Sequence, residues 1–520
     1  MSAHAGAFPI NRKNIPLNEQ QYRSLCDACD RVLLAPDSTV ERVAIPWLHI
    51  IREHPVFLEN YRDLFEPARG CHAVLGKLHR TFLNKAGWFR QFLRTCRTDG
   101  RPWFGPEKLP GSLDILFVSH LLNSSHAGQS LDFYFGYLPD ELVNRGYSVA
   151  IALINHTGQA AAPLAEKWNN NRVARIVLSG SLHFSEEMAL RRRLRVESFQ
   201  LRQRARATAN KLEHCVLDRS SREAISGGSL TTLRMAAQLG ALAAETKPKA
   251  IVVTHEGHSW ERLAFAAARK MVPKIKCIGY QHAALFRLQH AIRRNLAREY
   301  NPDHIVTAGA VSKSQLDHAE DLNGIPVSVL GSNRALTGGG AYPHLEIGHE
   351  PVASCLVLPE GIASECHLLF EFSLECARLC PEIRFIWRLH PILSFSSLAA
   401  KNKRLRNLPQ NVILSQETLE EDITRCSWAL YRGTTAVVQA VVAGLRPLYL
   451  QLPDELNVDP LYELKVWRKS VKSPADFCTI ARSIPNTISL DEETFYREAE
   501  RYCRDFFSPL NPRALELIVT

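Results

Sequence analysis

No uninterrupted apolar run in this chain is long enough to cross a bilayer. The best stretch, SWALYRGTTAVVQAVVAGLRPLYL, is broken by Arg432, Gly444, Arg446 and Pro447. The opening MSAHAGAFPINRK lacks the apolar core of a secretory signal, so no signal peptide is expected. There is no GxxxxGK[ST] loop, which excludes a P-loop nucleotidase. No DxD triplet sits in a convincing loop, so a divalent metal holding a diphosphate is not indicated. The 13 cysteines follow no regular spacing, and the CxxC of Cys26 and Cys29 has no second pair. Neither a disulfide framework nor a zinc site is expected, and that pair reads as two positions of one helix. A nucleic-acid module with interleaved aromatics is also missing, so nucleic acid is not an expected partner. The expected location is the cytoplasm, with room for a peripheral contact on the inner membrane.

What is present is length and rhythm. At 520 residues the chain exceeds what one compact core organises, so two large domains and an extension are expected. Its hydrophobic share of 46% and charged share of 22% suit a globular protein. The excess of 63 basic over 53 acidic residues favours an anionic partner, whether phosphorylated ligand, membrane surface or nucleic acid. Residues 1–108 read as a helical N-terminal extension ending in the linker RTDGRPWFGPEKLPG. Through 109–333, LDILFVSH, YSVAIALIN, RVARIVLSG, AIVVTHEG, KCIGYQH, HIVTAGA and VSVLGS read as strands. LDFYFGYLPDELVNRG and SWERLAFAAARKM read as helices between them. The connection NRALTGGGAYPHLEIGHEP marks a boundary. Alternation restarts over 350–490 with the strands ASCLVLPEG, EIRFIWRLHP, NVILS, SWALYRG and RPLYLQL, and 491–520 reads as a C-terminal helix. The expected fold is α/β, with two Rossmann-like, doubly wound parallel sheets. The very basic helical segment 186–214 is either a solvated arm or a contact for anionic lipid headgroups or a polyanionic acceptor.

Ligands of open α/β sheets bind beyond the strands' C-terminal ends, and several loops there carry unusual chemistry. In AIVVTHEGHSWERL, His255 and Glu256 end a strand and Gly257 permits a sharp turn. Glu256 can act as general base toward a hydroxyl, or cap the next helix, a task open also to Ser259 or Glu261. In EIRFIWRLHP, Ile383, Phe385, Trp387 and Leu389 alternate and Pro391 stops the ladder. Arg388 and His390 are then left pointing the same way, fit to meet phosphate. In YRGTTAVVQAVVAG, Gly433 ends a strand while Thr434 and Thr435 open a helix, offering backbone N–H groups and hydroxyls to phosphate. His120 in FVSHLLNSSHAG, and Gln281 and His282 in IGYQHAAL, end strands and can line an acceptor side. Glu360 and Gly361 in VLPEG face the donor side, where Glu360 rivals Glu256 as base.

The succession HEG (255–257), HP (390–391) and TT (434–435) resembles bacterial GT-B sialyltransferases and polysialyltransferases. These carry an acidic motif before Gly, an HP dipeptide and paired hydroxyl residues. Capsule Kdo-transferases and the CDP-glycerol polymerases of teichoic-acid synthesis use similar HP and Ser/Thr elements. EGHSWERL and IGYQHAAL also resemble a group of bacterial surface-carbohydrate biosynthesis proteins. The resemblance runs over residues 110–520 and departs from the pattern where His255 stands for the first acid and Thr for Ser. It implies GT-B-like architecture and an inverting glycosyltransferase that needs no metal or other cofactor. Such an enzyme moves a nonulosonic acid (sialic, legionaminic, pseudaminic or Kdo type) from a CMP-sugar to a surface glycan or lipid-linked acceptor. Carried over, the base is Glu256, His390 contacts the donor phosphate, and Thr434 and Thr435 bind the same phosphate. The alternatives are a CDP-alditol phosphotransferase, a UDP-sugar GT-B enzyme, and a non-catalytic nucleotide- or carbohydrate-binding assembly factor.

Overall fold

The computed structural model describes residues 17–65, 100–168, 171–322, 324–335, 353–390, 392–483 and 490–520. They form two compact units. The larger comprises residues 19–282, 289–335 and 508–520. Its strands are β1 (Trp103–Phe104), β2 (Ile115–Leu121), β3 (Val149–Asn155), β4 (Ala174–Leu178), β5 (Ala250–Thr254), β6 (Lys276–Gln281), β7 (His304–Thr307) and β8 (Val327–Val329). They lie in the order β1-β4-β3-β2-β5-β6-β7-β8. All neighbours are parallel except β1, which runs antiparallel to β4. The central strand β2 pairs with β3 from Ile115↔Val149 to Leu121↔Asn155, and with β5 from Ile115↔Ala250 to Val118↔Val253.

Side chains alternate across this sheet, and both faces are covered, so its strands are apolar almost throughout. Ile115 and Phe117 pack with Phe135, Leu138 and Leu142 on one face. Leu116 and Val118 pack with Leu239, Leu242 and Phe265 on the other. Phe117 is fully buried, so truncating it to Ala costs roughly 3–5 kcal/mol.

Trp103–Phe104, placed in the linker, is an edge strand too short to show a period. The helix expected from Leu131 onward begins only at Leu138. Before it, Asp132 Oδ1 accepts the N–H groups of Tyr134 and Phe135 and the hydroxyl of Ser119, a local turn that wins over helical spacing. The described part of the N-terminal segment belongs to this unit: helix Glu19–Leu33 packs on helix Lys211–Ala224. Cys26 and Cys29 are buried within that first helix, where burial raises both thiols above their ordinary range. The basic segment is not a free arm. It forms helices Phe184–Ala207 and Lys211–Ala224, packed on each other, with Leu190, Leu194, Leu201 and Ala205 buried. Its Glu197 holds the buried Arg42 at 2.7 Å.

The described residues of the smaller unit run from 353 to 507, with the short pieces 17–18 and 283–288. Its strands are β9 (Ser354–Leu358), β10 (Arg384–Trp387), β11 (Val412–Leu414), β12 (Trp428–Tyr431), β13 (Arg446–Leu450) and β14 (Lys469–Val471). They form an all-parallel sheet ordered β11-β10-β9-β12-β13-β14. The strand β14 was not expected. Phe385, Trp387, Leu430 and Leu448 share a core with helices Ala363–Leu379 and Pro474–Ser483. Trp387 stacks on Phe370 at 4.2 Å between ring centres. A disulfide joins Cys380 and Cys478, whose Cα atoms are 6.3 Å apart. The two are separated by 98 residues, so spacing alone gave no sign of it. The expected single C-terminal helix is two: Leu490–Arg504 packs on helix Ala436–Val442 of this unit, and Pro512–Val519 packs on helix Leu138–Asn144 of the larger.

The α/β class, with two Rossmann-like doubly wound sheets as a GT-B-like chain requires, is the fold found. Each sheet reverses its winding beside its first long strand, between β2 and β5 in one unit and between β9 and β12 in the other. Those reversals open the crevices where ligands of such sheets bind. Among the described residues, no helix is long and apolar enough to cross a membrane.

Candidate functional site

In the larger unit the crevice beyond β2 and β5 is lined by imidazoles. His120, on β2, meets His156 Nε2 through Nδ1 at 2.8 Å and Thr254 Oγ1 through Nε2 at 3.1 Å. Its ring stands edge-on to Tyr134 and to Trp260. Burial, with the nearby His156 and His282, pushes His120 down to about 3, so it is neutral at physiological pH. His282, at the end of β6, lies edge-on to Tyr134 at 4.5 Å, and burial lowers it too. Burial, then the charge of Glu256, lifts the Tyr134 phenol to about 12.

The HEGH loop follows β5, and a single carboxylate organises it. Glu261 Oε2 accepts the backbone N–H groups of Glu256, Gly257 and His258 at 2.9, 2.7 and 2.9 Å, and faces His255 Nδ1 at 3.1 Å. Glu261 thus does the capping that was also open to Glu256. The Glu256 carboxylate is left half-buried in the crevice, 3.4 Å from His258 Nε2. Burial opposes its ionisation. The hydrogen bond from His258 and the fields of His282, His258 and Arg52 outweigh that, and hold Glu256 well below the usual carboxylate range. The same pairing raises His258, against its own desolvation.

In the smaller unit three loops meet beyond β9, β10 and β12. Glu360 packs against Gly433 so closely that a Cβ on Gly433 would overlap Glu360 Oε1. A Cβ on Gly361 would lie 3.0 Å from His390 Nδ1 and 2.9 Å from Ile392 Cδ1. These glycines are therefore where the three loops touch. His390 Nδ1 accepts the Ile392 N–H at 3.4 Å, which favours the tautomer protonated on Nε2. Arg432 is buried between Glu365 and Glu455, both at 2.8 Å. Since Glu365 lies in the helix after Gly361, this ion pair staples the β9 loop to the β12 loop. Thr434 Oγ1 accepts the Ala436 N–H at 3.3 Å, while Thr435 makes no side-chain cap bond.

The expected residues thus divide. His120, Glu256 and His282 come together in one crevice, and Glu360, Gly361, His390, Gly433, Thr434 and Thr435 in the other. Three do not serve as expected. His255 is fully buried on Glu261, and Gln281 is fully buried, so neither lines an acceptor surface. Arg388 does not present a guanidinium to phosphate, because it bonds Asp422 Oδ2 at 2.8 Å and the Glu417 carbonyl at 2.6 Å. Gly257 is structural: at φ +90° its N–H feeds Glu261, and a Cβ would overlap the Ala291 backbone. Pro391 lies outside the described residues. Sequence reasoning missed His156, His258 and Tyr134. A signal was present: His120, His156, His255 and His282 each fall at a strand's C-terminal end.

No family model matches the chain, and no curated protein matches it. Among solved structures it is similar to the glycotransferase of kitacinnamycin, with 14% identity, covering 79% of this chain and 99% of that one, TM-score 0.46. It is similar to the glycosyltransferase SnogD from Streptomyces nogalater, with 13% identity, 79% and 100% coverage, TM-score 0.43. It is also similar to UDP-GlcNAc 2-epimerase from Neisseria meningitidis bound to UDP-GlcNAc, with 14% identity, 78% and 99% coverage, TM-score 0.42. Transferases and an epimerase both occur here, so the likeness does not choose a reaction.

Proposed function

We propose that this chain is a glycosyltransferase using a nucleotide-activated sugar, and in its finer form one that moves a nonulosonic acid from a CMP donor to a glycan or lipid-linked hydroxyl. One observation carries the reading: Gly361, His390, Gly433, Thr434 and Thr435 converge at the winding reversal of the smaller sheet. Hydrogen-bond donors are needed there to stabilise a departing phosphate. His390 Nε2–H and the Thr435 hydroxyl are those donors, with Thr434 fixing the turn. The acceptor chemistry belongs to Glu256. As the acceptor oxygen bonds the anomeric carbon, the bond from that carbon to the nucleotide phosphate breaks. The phosphate leaves with the bonding electrons, and the acceptor's proton passes to Glu256. A strongly acidic Glu256 is a weak base while His258 holds it, so acceptor binding must take over that hydrogen bond for proton transfer to proceed. No divalent cation enters this scheme, and turnover is expected to persist in a chelator.

The test is thermal stabilisation by CMP, CDP, UDP and GDP, since a ligand that binds the native state raises the melting temperature. Stabilisation by CMP, lost in His390→Ala, supports the finer reading. Stabilisation by UDP or GDP instead keeps the transferase and replaces its donor. No response to any nucleotide overturns the proposal.

A further inference from the structure

Helix Phe184–Ala207 has one face in the core and one in solvent. Between residues 188 and 207 it carries seven arginines and a single acid, Glu197. That acid is buried and committed to Arg42 and Thr39. Arg191 is buried, Arg193 pairs with Glu41, and Arg204 pairs with Asp37 at 2.7 Å. Arg192, Arg195, Arg202 and Arg206 remain, all exposed and without an ion pair among the described residues. Their spacing of three, seven and four, with Val196 and Phe199 between, places all six on one stripe of the helix. The stripe is about 21 Å long at the helical rise per residue. Val196 is 53% exposed and Phe199 59%, so two apolar side chains lie open between the arginines.

We propose that this stripe docks the protein on an anionic lipid bilayer. Guanidinium groups pair with lipid phosphates in planar, bidentate fashion. A phenyl ring flanked by such groups reaches the boundary between headgroups and acyl chains, where amphipathic helices lie. The four arginines supply the charge complementarity, and Phe199 supplies a reason for choosing lipid over another polyanion. A duplex nucleic acid or an inorganic polyanion is met by the arginines alone and gains nothing from an aliphatic Val196 beside them. None of the six residues belongs to either crevice, and the proposal does not depend on the donor assignment.

The experiment is co-sedimentation of the full chain with phosphatidylglycerol-rich vesicles and with pure phosphatidylcholine vesicles. Binding is expected to the first and not the second, and it should weaken with salt. Arg192→Gln, Arg195→Gln, Arg202→Gln and Arg206→Gln combined should lower partitioning by about a hundredfold or more, at roughly fivefold per arginine. Phe199→Ser alone should lower it several-fold and leave the salt dependence as it was. Arg222→Gln, which removes a paired arginine of the next helix, should change nothing. Equal binding to both vesicles, or unchanged binding by the fourfold variant, overturns the proposal. Tighter binding to duplex nucleic acid or polyphosphate, insensitive to Phe199→Ser, replaces it with a polyanion contact. If the fourfold variant unfolds, an environment-sensitive dye on Phe199→Cys decides: a blue shift on phosphatidylglycerol vesicles supports insertion, and no shift refutes it.

Discussion

Two Glu–Gly dipeptides, Glu256–Gly257 and Glu360–Gly361, follow strands that border the winding reversals of their sheets, and they have been put to opposite uses. In the first, the glycine is the structural member. Gly257 takes φ +90° against the Ala291 backbone and feeds its N–H to Glu261, which frees the Glu256 carboxylate for the crevice. In the second, the glutamate is the packed member. Glu360 is 9% exposed and pressed on Gly433, while Gly361 leaves room for His390. One motif thus presents an anion and the other makes space. The lesson is that a dipeptide at a strand end says where chemistry can occur, and its neighbours decide which atom is offered.

The largest expected effect tests the carboxylates. Glu256→Gln should lower turnover by about a thousandfold, near 4 kcal/mol, with little change in stability. Glu360→Gln should mainly weaken donor affinity, by about tenfold or less. Steady-state kinetics with both substrates varied separates the two, and a reversal of the ranking moves the base to Glu360. Next comes stability. Gly257→Ala should cost about 3 kcal/mol in urea unfolding, because strain at positive φ adds to a backbone clash. Gly433→Ala meets the end of the Glu360 side chain rather than backbone, at ordinary φ, and should cost less, about 1–2 kcal/mol. Equal costs would break the contrast. His390→Ala should then lower turnover by about a hundredfold, roughly 2.7 kcal/mol, since it removes a donor at the departing charge.

The last contrast is read in pH, as a slope. His120 has a folded-state pKa of about 3, below the ordinary 6.5, so the unfolded chain binds a proton that the folded one refuses. The stability this confers is complete above pH 6.5. It falls between 6.5 and about 3, by at most about 1.4 kcal/mol per pH unit. His120→Gln should flatten that part of the curve, and an unchanged slope would show that His120 is not the buried proton refuser.

Much of this was legible beforehand. The strands were readable because a short continuous apolar run is a local signal: Ile115, Leu116, Phe117 and Val118 announce two covered faces without reference to anything distant. The loops carrying Glu256, His390 and Thr434 were readable because Gly and Pro end strands by their own backbone chemistry. The role of Arg388 was not readable. Its partner Asp422 lies 34 residues on, and an arginine at a crevice looks identical whether it awaits phosphate or is already paired. His258 was missed for a similar reason, since only the turn at Gly257 brings its ring back to Glu256.

The sequence by itself determined two alternating α/β units, the strand ends at which they hold side chains, and an excess of positive charge. The tertiary structure alone decided which charges are spent. It committed Arg388 to Asp422, Glu261 to the backbone of the HEGH loop and Arg432 to Glu365 and Glu455. It left the Glu256 carboxylate half-buried against His258 and four arginines of helix Phe184–Ala207 exposed. The physical reason is range. Periodicity and backbone breakers act over a few residues, whereas a hydrogen bond or ion pair is settled by whichever group the folded chain brings within about 3 Å.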